Sequence, residues 1–198
     1  MLEVLAGTHS ALGASHIARL TARGSRVGQA PILERLAAHG IVDAEPANQG
    51  FLYRLNRDHV LAPAILAAAG ARGELIRRLT ATVEGFIPAP AHASVFGSFA
   101  RGEAGEDSDI DLLLIANDPD GVTAWDAQIE QLGSDVRRWT GNRGQILAFS
   151  VDRIRELAAE GEPVVSNWLA DGLVLAGDPL SSVLPPASKR ARRTVARS

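Results

Sequence analysis

The sequence predicts an α+β fold in two domains. The chain has 198 residues, 46% hydrophobic and 22% charged, a composition that is typical of globular proteins and excludes a disordered or fibrous one. Its first 57 residues show two helical apolar stripes, followed by two short strand patterns on either side of a turn. Apolar strand patterns and amphipathic helices also occur in the second half, so helices and strands both contribute to its predicted fold.

The composition also excludes several classes of protein. The chain contains no cysteine, so a disulfide scaffold and a cysteine-ligated zinc site are both excluded. No uninterrupted apolar run reaches the roughly 18 residues that a membrane-spanning helix needs. The first residues do not show the basic and then apolar pattern of a signal peptide. We therefore expect a cytoplasmic protein without a membrane partner.

Charge is distributed unevenly along the chain. The formal net charge is −3, yet no acidic residue follows Asp178, and the last ten residues carry five positive charges. Residues 1–188 therefore have a net charge of −8, five below the total. Residues 181–198 are expected to form a basic, disordered tail. A salt-sensitive contact with nucleic-acid phosphates is the alternative role for this tail.

The N-terminal pattern consists of two helices and a hairpin. Ser15 can cap a first helix, and a second is predicted from about residue 27 to residue 39, where Gly40 ends it. Residues 41–45 and 51–55 read as strands, and the turn-forming segment 46–50 joins them. Before the first helix the pattern is too weak to predict an element.

This pattern resembles a winged helix-turn-helix domain, which we assign to residues 1–57. In that family the second helix enters the major groove of DNA and the hairpin lies against phosphate. The charge pattern keeps protein docking or dimerisation open as an alternative, because residues 1–57 hold only six basic residues against four acidic ones. The side chains that the resemblance would place on DNA are Ser25, Arg26, Gln29, Arg35 and Arg54.

An alanine-rich stretch separates the two domains. Its apolar positions recur at helical spacing, and Pro88 and Pro90 follow its end. We assign residues 58–74 to a helical connector and residues 75–180 to the second domain. The helix that precedes the two prolines is expected to pack on the second domain.

The segment 93–115 carries the chemistry of the second domain. It reads as strand, glycine turn, short helix, acidic loop and strand. Gly97 has no Cβ and allows close approach of a ligand, while Ser98 lies at a helix start, where backbone N–H groups favour phosphate. Asp109 and Asp111 are two residues apart, which puts both carboxylates on one face of a strand. A Mg²⁺ or Mn²⁺ ion would relieve their repulsion, and a solvated strand start is the simpler alternative.

The Gly97-Ser98 pair, ten intervening residues and the Asp109-Ile110-Asp111 core are together similar to the minimal nucleotidyltransferase family of the DNA polymerase beta-like superfamily, in its antitoxin-type branch. The resemblance implies a nucleotidyltransferase fold with a mixed sheet flanked by helices, in which Gly97 and Ser98 hold a nucleoside triphosphate and the two aspartates bind divalent metal ions. It also implies that Arg101 neutralises charge or braces the loop. A surface ion pair with Glu103 or Asp107 is the alternative for Arg101.

One feature of that family is missing. The family carries a third carboxylate on a later strand, where it acts as a base and metal ligand. Counted from the preceding turn and the following helix, that position is Ala148, and no acid occurs between Asp135 and Asp152. Gln145 is polar but is expected to have the opposite strand parity to Ala148. A slow enzyme, an enzyme that uses another acid, and a nucleotide-binding domain without turnover all remain open.

Two functions therefore compete on sequence grounds. The first is metal-dependent transfer of a nucleotide, most simply an adenylyl group, from a nucleoside triphosphate to the hydroxyl of a protein, with a toxin-like partner as acceptor and DNA bound by the winged helix. The second is a catalytically impaired DNA-binding transcriptional regulator with the same fold. An oligomeric scaffold is a third, and a homo-oligomer is compatible with each.

Overall fold

The computed structural model describes residues 1–21, 26–48, 50–105 and 108–184. The chain divides into two compact units, Met1–Leu75 and Ile76–Ser198. This division falls within one helix, Ala71–Glu84 (α5). No helix in the described ranges is long and apolar enough to cross a membrane.

The first unit combines short helices with a small antiparallel sheet. Three strands pair in the order β1-β3-β2, and Val42 lies opposite Leu55 in the hairpin. Its core is built around the fully buried residues Leu5, Ile17 and Leu33. The elements in chain order are α1 (Leu2–Ala6), β1 (Leu12–Gly13), α2 (Ala14–Leu20), α3 (Arg26–Ala38), β2 (Val42–Ala47), β3 (Gly50–Leu55) and α4 (Ala62–Ala69).

Helix α4 lies within the predicted connector. Ile65, Leu66 and Ala69 on this helix pack against the core of the first unit. The predicted connector is therefore part of the packing of the first unit. The helices and hairpin of residues 14–55 follow the predicted order, whereas α1 and β1 were not predicted. The assignment of the unit as a winged helix-turn-helix domain stays a prediction.

The second unit is built on a four-stranded mixed sheet, which confirms the predicted α+β architecture. The strand order is β6-β5-β4-β7, in which β4 runs antiparallel to both neighbours and β5 runs parallel to β6. The elements after α5 are β4 (His92–Phe96), α6 (Gly97–Ala100), β5 (Ile110–Ala116), α7 (Pro119–Ala124), α8 (Asp126–Thr140), β6 (Gly144–Ser150), α9 (Val151–Glu160), α10 (Pro163–Asp171), β7 (Leu173–Gly177) and α11 (Leu180–Val183).

Helices cover the sheet on both faces. On one face, Leu113 and Ile115 of β5 pack with Ile154 of α9 and Trp168 of α10. On the other face α8 lies against β6, and a Cβ added to Gly144 would meet the side chain of Val136 at 3.3 Å. Strand β5 is therefore buried on both sides, as its uninterrupted apolar sequence indicates.

Residues 180–184, at the boundary between the second domain and the predicted tail, pack into the second unit. Leu180, Val183 and Leu184 are all buried in the core of the second unit. Leu180 and Val183 are three residues apart on one side of a short helix, α11, and Leu184 directly follows this helix. Residues 185–198, which hold all five basic residues of the tail, lie outside the described residues.

Candidate functional site

The glycine turn lies directly against one of the two aspartates. Strand β4 ends at Phe96, which pairs with Asp111 of β5. At Gly97 the backbone adopts a φ of +71°, and a Cβ built there would lie 2.5 Å from Oδ2 of Asp111. Helix α6 starts at Gly97, so Ser98 lies in its first turn. Only glycine satisfies both the backbone conformation and the close approach to the carboxylate.

The two aspartates lie at the start of β5. Asp111 is in the strand and Asp109 directly precedes its first residue, Ile110. Both aspartates are partly buried, while Ile110 and Leu112 are buried on the opposite face. Burial is the largest cause that raises the pKa of Asp111, the charge of Asp109 raises it further, and Arg101 opposes the shift. In the absence of a cation, ionisation of Asp111 beside Asp109 is therefore unfavourable in free energy.

A turn before β6 braces the aspartate loop. Asn142 donates from Nδ2 to the carbonyl oxygen of Ser108 over 2.7 Å. The N–H of Ile110 donates to the carbonyl oxygen of Arg143 over 2.8 Å. These bonds hold the backbone on both sides of Asp109. The role of Asn142 could not be predicted from a local sequence pattern, because its partner lies 34 positions away.

Arg101 follows α6 and is held by two carboxylates. Its Nε donates to Glu103 over 2.8 Å, and one of its terminal nitrogens, Nη1, donates to Asp171 at the end of α10. Both hydrogen bonds raise the pKa of Arg101 above its usual value. The pair with Glu103, which is the alternative interpretation of Arg101, is present. Asp107 lies outside the described residues, and the pair with Asp171 was not predicted.

The strand register corrects the position of the missing third carboxylate. In the parallel pairing of β5 and β6, Asp111 lies beside Gln145, and Ala148 lies beside Leu114. Paired residues of neighbouring strands project to the same face, so Gln145 shares a face with Asp111 and Ala148 lies on the opposite face. The prediction of Ala148 was wrong because counting from the turn and the next helix does not give the register between the strands. Gln145 is exposed and carries a neutral amide.

The donor set fits a magnesium ion that is also held by substrate phosphates. Mg²⁺ prefers oxygen ligands and is usually bound through one or two carboxylates together with phosphates. Asp109 and Asp111 supply two such carboxylates, and Gln145 adds an amide oxygen beside them. The raised pKa of Asp111 indicates that a cation would be favoured there. Among the described residues, no group of three or more histidine, aspartate or glutamate side chains could hold a metal ion.

The residues predicted to contact DNA do not form one exposed set. Gln29 is buried, contrary to the expectation, because it lies four residues before the core residue Leu33 on the same face of α3. Arg54 pairs with Asp43 at 3.3 Å and with Glu45 at 3.5 Å.

The other three predicted DNA contacts are placed as follows. Arg35 is exposed on α3. Ser25 lies outside the described residues, as does the side chain of Arg26.

Comparison with known proteins agrees with the site in part. No curated protein matches the chain. Among solved structures, "Crystal structure of the toxin-antitoxin with AMP-PNP" has 16% sequence identity and a TM-score of 0.36, covering 52% of this chain and 73% of that chain. Residues 77–159, the segment that contains the Gly97-Ser98 turn and both aspartates, match the family model of the nucleotidyltransferase domain.

Proposed function

We propose that the second unit transfers a nucleotide, most simply an adenylyl group, from a nucleoside triphosphate to a hydroxyl group of a protein. The observation that carries this proposal is the contact between the Gly97 turn and the carboxylate of Asp111. It brings a backbone turn suited to phosphate next to a pair of carboxylates suited to a divalent cation.

The reaction is a substitution at the α-phosphorus. The acceptor oxygen forms a bond to this phosphorus, and the bond to the oxygen that bridges the α- and β-phosphates breaks. Pyrophosphate leaves, and the acceptor hydroxyl loses its proton. Gln145 cannot take up that proton, because an amide is not a base near neutral pH. The proton would therefore pass to solvent or to the released phosphates, which favours a slow reaction.

Each residue has a defined part in this proposal. The Gly97-Ser98 turn binds the triphosphate, and Arg101 offsets its negative charge. Asp109 and Asp111 would hold Mg²⁺, which when bound supplies positive charge to the phosphate oxygens. Asn142 and the backbone of Arg143 keep the aspartate loop in place.

The protein acceptor and the DNA contact rest on the resemblances found in the sequence. The antitoxin-type signature favours a toxin-like protein as the acceptor. The order of two helices and a hairpin in the first unit supports DNA binding through α3, with Arg35 on its exposed surface. A gel shift at two salt concentrations tests this part, because phosphate contacts weaken as salt rises.

A second candidate follows from Gln145. Its neutral side chain beside Asp111 supports a domain that binds nucleotide without turnover and acts as a DNA-binding regulator. This candidate predicts nucleotide binding of ordinary strength with no release of pyrophosphate in the presence of the acceptor.

Calorimetry separates the two candidates. ATP, GTP, CTP and UTP are titrated into the full chain with and without Mg²⁺, and pyrophosphate release is followed in the same samples with the partner protein added. Binding that requires Mg²⁺, together with slow release, supports the transferase. Binding without release supports the regulator, and no binding of any nucleotide contradicts both.

Variants locate the binding at the two aspartates. The double variant Asp109→Asn/Asp111→Asn should lose Mg²⁺-dependent binding. The matched control is Asp120→Asn, because Asp120 is an exposed carboxylate in the first turn of α7. Equal binding by the wild type and the double variant would show that the nucleotide binds elsewhere.

A further inference from the structure

We propose that Asp171 is a positioning residue, which orients the guanidinium group of Arg101 for a phosphate of the bound nucleotide. The inference rests on the proposed function. It assigns a role to a residue at the end of α10, which lies 70 positions from Arg101 in the chain. Residue 171 also lies outside the segment 77–159 that matches the nucleotidyltransferase domain.

The hydrogen bonds of Arg101 leave part of its donor fork available. A guanidinium has five N–H donors in a fixed planar arrangement. One of them, on Nε, points to Glu103, and another, on Nη1, points to Asp171. Among the described residues these two carboxylates take two of the five donors, so three N–H donors remain for a further acceptor, in a plane that the two carboxylates fix. A phosphate is an acceptor that suits this geometry.

Helix α10 is anchored beside the glycine turn. Trp168 is buried three residues before Asp171, and its ring contacts Phe96 and Phe149 with centroid distances of 6.1 and 5.8 Å. Phe96 directly precedes Gly97. The same aromatic cluster thus fixes both the helix that carries Asp171 and the strand end at which the turn begins.

The two carboxylates that hold Arg101 are not equivalent. The side chain of Asp171 is 23% exposed and lies at the end of a packed helix. The side chain of Glu103 is 62% exposed and belongs to the loop after α6. Exposed ion pairs contribute little, because water screens them and long side chains lose conformational freedom. Asp171 is therefore the partner that fixes the guanidinium, and Glu103 provides a matched control.

The experiment is a double-mutant cycle on ATP binding with Mg²⁺ present. Asp171→Asn keeps the shape of the side chain but removes its charge, and we expect it to weaken ATP binding about tenfold. Glu103→Gln should change affinity by less than about threefold. In an Arg101→Ala background, Asp171→Asn should have no further effect, because Asp171 acts only through Arg101. Equal effects of Asp171→Asn with and without Arg101 would overturn the inference.

A second measurement needs no nucleotide. The Nε–H signal of Arg101 in NMR spectra should show restricted motion in the wild type and in Glu103→Gln, and increased motion in Asp171→Asn. Unchanged restriction in Asp171→Asn would also overturn the inference. Thermal denaturation of each variant shows whether it is folded. Arg101→Lys tests whether the planar donor arrangement of the guanidinium is needed, because lysine keeps only the positive charge.

The two proposals fail in different ways. A wild-type protein that binds none of the four nucleoside triphosphates contradicts the proposed function and removes the inference with it. If the wild type and Asp171→Asn bind ATP with equal affinity, only the inference about Asp171 is contradicted.

Discussion

Gly97 and Asp111 meet so closely that no side chain fits between them. A Cβ added to Gly97 would lie 2.5 Å from Oδ2 of Asp111, and the φ of +71° at Gly97 disfavours any L-residue with a side chain. We expect Gly97→Ala to displace the carboxylate and to abolish Mg²⁺-dependent nucleotide binding. The positive φ should also cost about 1–2 kcal/mol of folding free energy. Calorimetry and thermal denaturation measure the two effects.

Gly102→Ala is the matched control for this variant. Gly102 has a φ of +75°, and a Cβ there would meet no atom of the described residues within 4 Å. Both variants should lose similar stability, but Gly102→Ala should still bind nucleotide. Loss of binding in both would show that strain of the loop, and not displacement of Asp111, is responsible.

Removing the charge of Asp111 should stabilise the protein in the absence of metal. Burial and Asp109 raise the pKa of Asp111 above its usual 3.8. The stabilisation by the protonated carboxyl of Asp111 is therefore fully present below pH 3.8, and it is lost as the pH rises through the pKa of Asp111 in the folded state. At pH 7 without divalent ions, we expect Asp111→Asn to raise Tm by at most about 2–4 °C, because solvent screening of this partly exposed carboxylate limits the effect to at most about 1 kcal/mol.

Addition of Mg²⁺ should give the wild type a higher Tm than Asp111→Asn, the reverse of the order without divalent ions. Binding of a cation to the folded state raises the Tm of the wild type, and Asp111→Asn should gain much less. The site would have to be reconsidered if Mg²⁺ raised both values of Tm equally, because the ion would then bind away from Asp111.

Local patterns were sufficient to place most elements and both aspartates. The alternation of apolar residues around Asp109 and Asp111 identifies their common face, because strand parity depends only on neighbours in the chain. Gln29 lies four residues before Leu33, a spacing that places both on the buried face of α3, whereas the resemblance to a winged helix-turn-helix domain placed Gln29 at the start of the DNA-reading helix. The short helix α1 was missed because five residues form too little of a periodic pattern.

Relationships between distant segments could not be predicted in the same way. Whether Ala148 or Gln145 lies beside Asp111 depends on how β6 pairs with β5, because a shift of the register by one residue moves every side chain to the other face. The contact of Arg101 with Asp171 spans 70 positions and has no local pattern. The type of site was thus predictable from one short segment, while its supporting residues required the fold.

His92 should make stability fall in mildly acidic solution. This buried histidine on β4 contacts the carbonyl oxygen of Asp178 through Nδ1 at 2.7 Å and Oγ of Ser94 through Nε2 at 2.9 Å. The carbonyl requires a proton on Nδ1, so Nε2 accepts from the hydroxyl of Ser94. Burial lowers the pKa of His92 below its usual 6.5.

The sign of the effect follows from proton uptake. Below pH 6.5 the unfolded chain binds a proton at His92 and the folded protein resists it, so stability is lost as the pH falls through the folded-state value. Urea denaturation from pH 7.5 to pH 5 measures this slope. His92→Asn should have a shallower slope and lower stability by about 1–3 kcal/mol at pH 7.5, because buried hydrogen bonds are lost. His39→Asn, the same substitution at an exposed position, supplies the control and should not cause the loss of stability at pH 7.5 that His92→Asn causes.

A carboxylate restored beside Asp111 should increase the rate of nucleotide transfer. Gln145 shares a face with Asp111 and is exposed, so Gln145→Asp places a third carboxylate at the site with little cost to packing. General bases contribute factors of about 10²–10⁴ in rate, and we expect pyrophosphate release in the presence of the acceptor to rise by at least about tenfold.

Ala148→Asp tests whether the position on the strand matters. Ala148 pairs with the fully buried Leu114 on the face that α8 covers, so this carboxylate should destabilise the fold by about 1–3 kcal/mol without raising the rate. Measurement of both variants at equal concentrations of folded protein separates the rate from stability. A faster Ala148→Asp with an unchanged Gln145→Asp would contradict the register-based placement of the third carboxylate. Equal rates in the wild type and in Gln145→Asp would favour the regulator, whose nucleotide site needs no base.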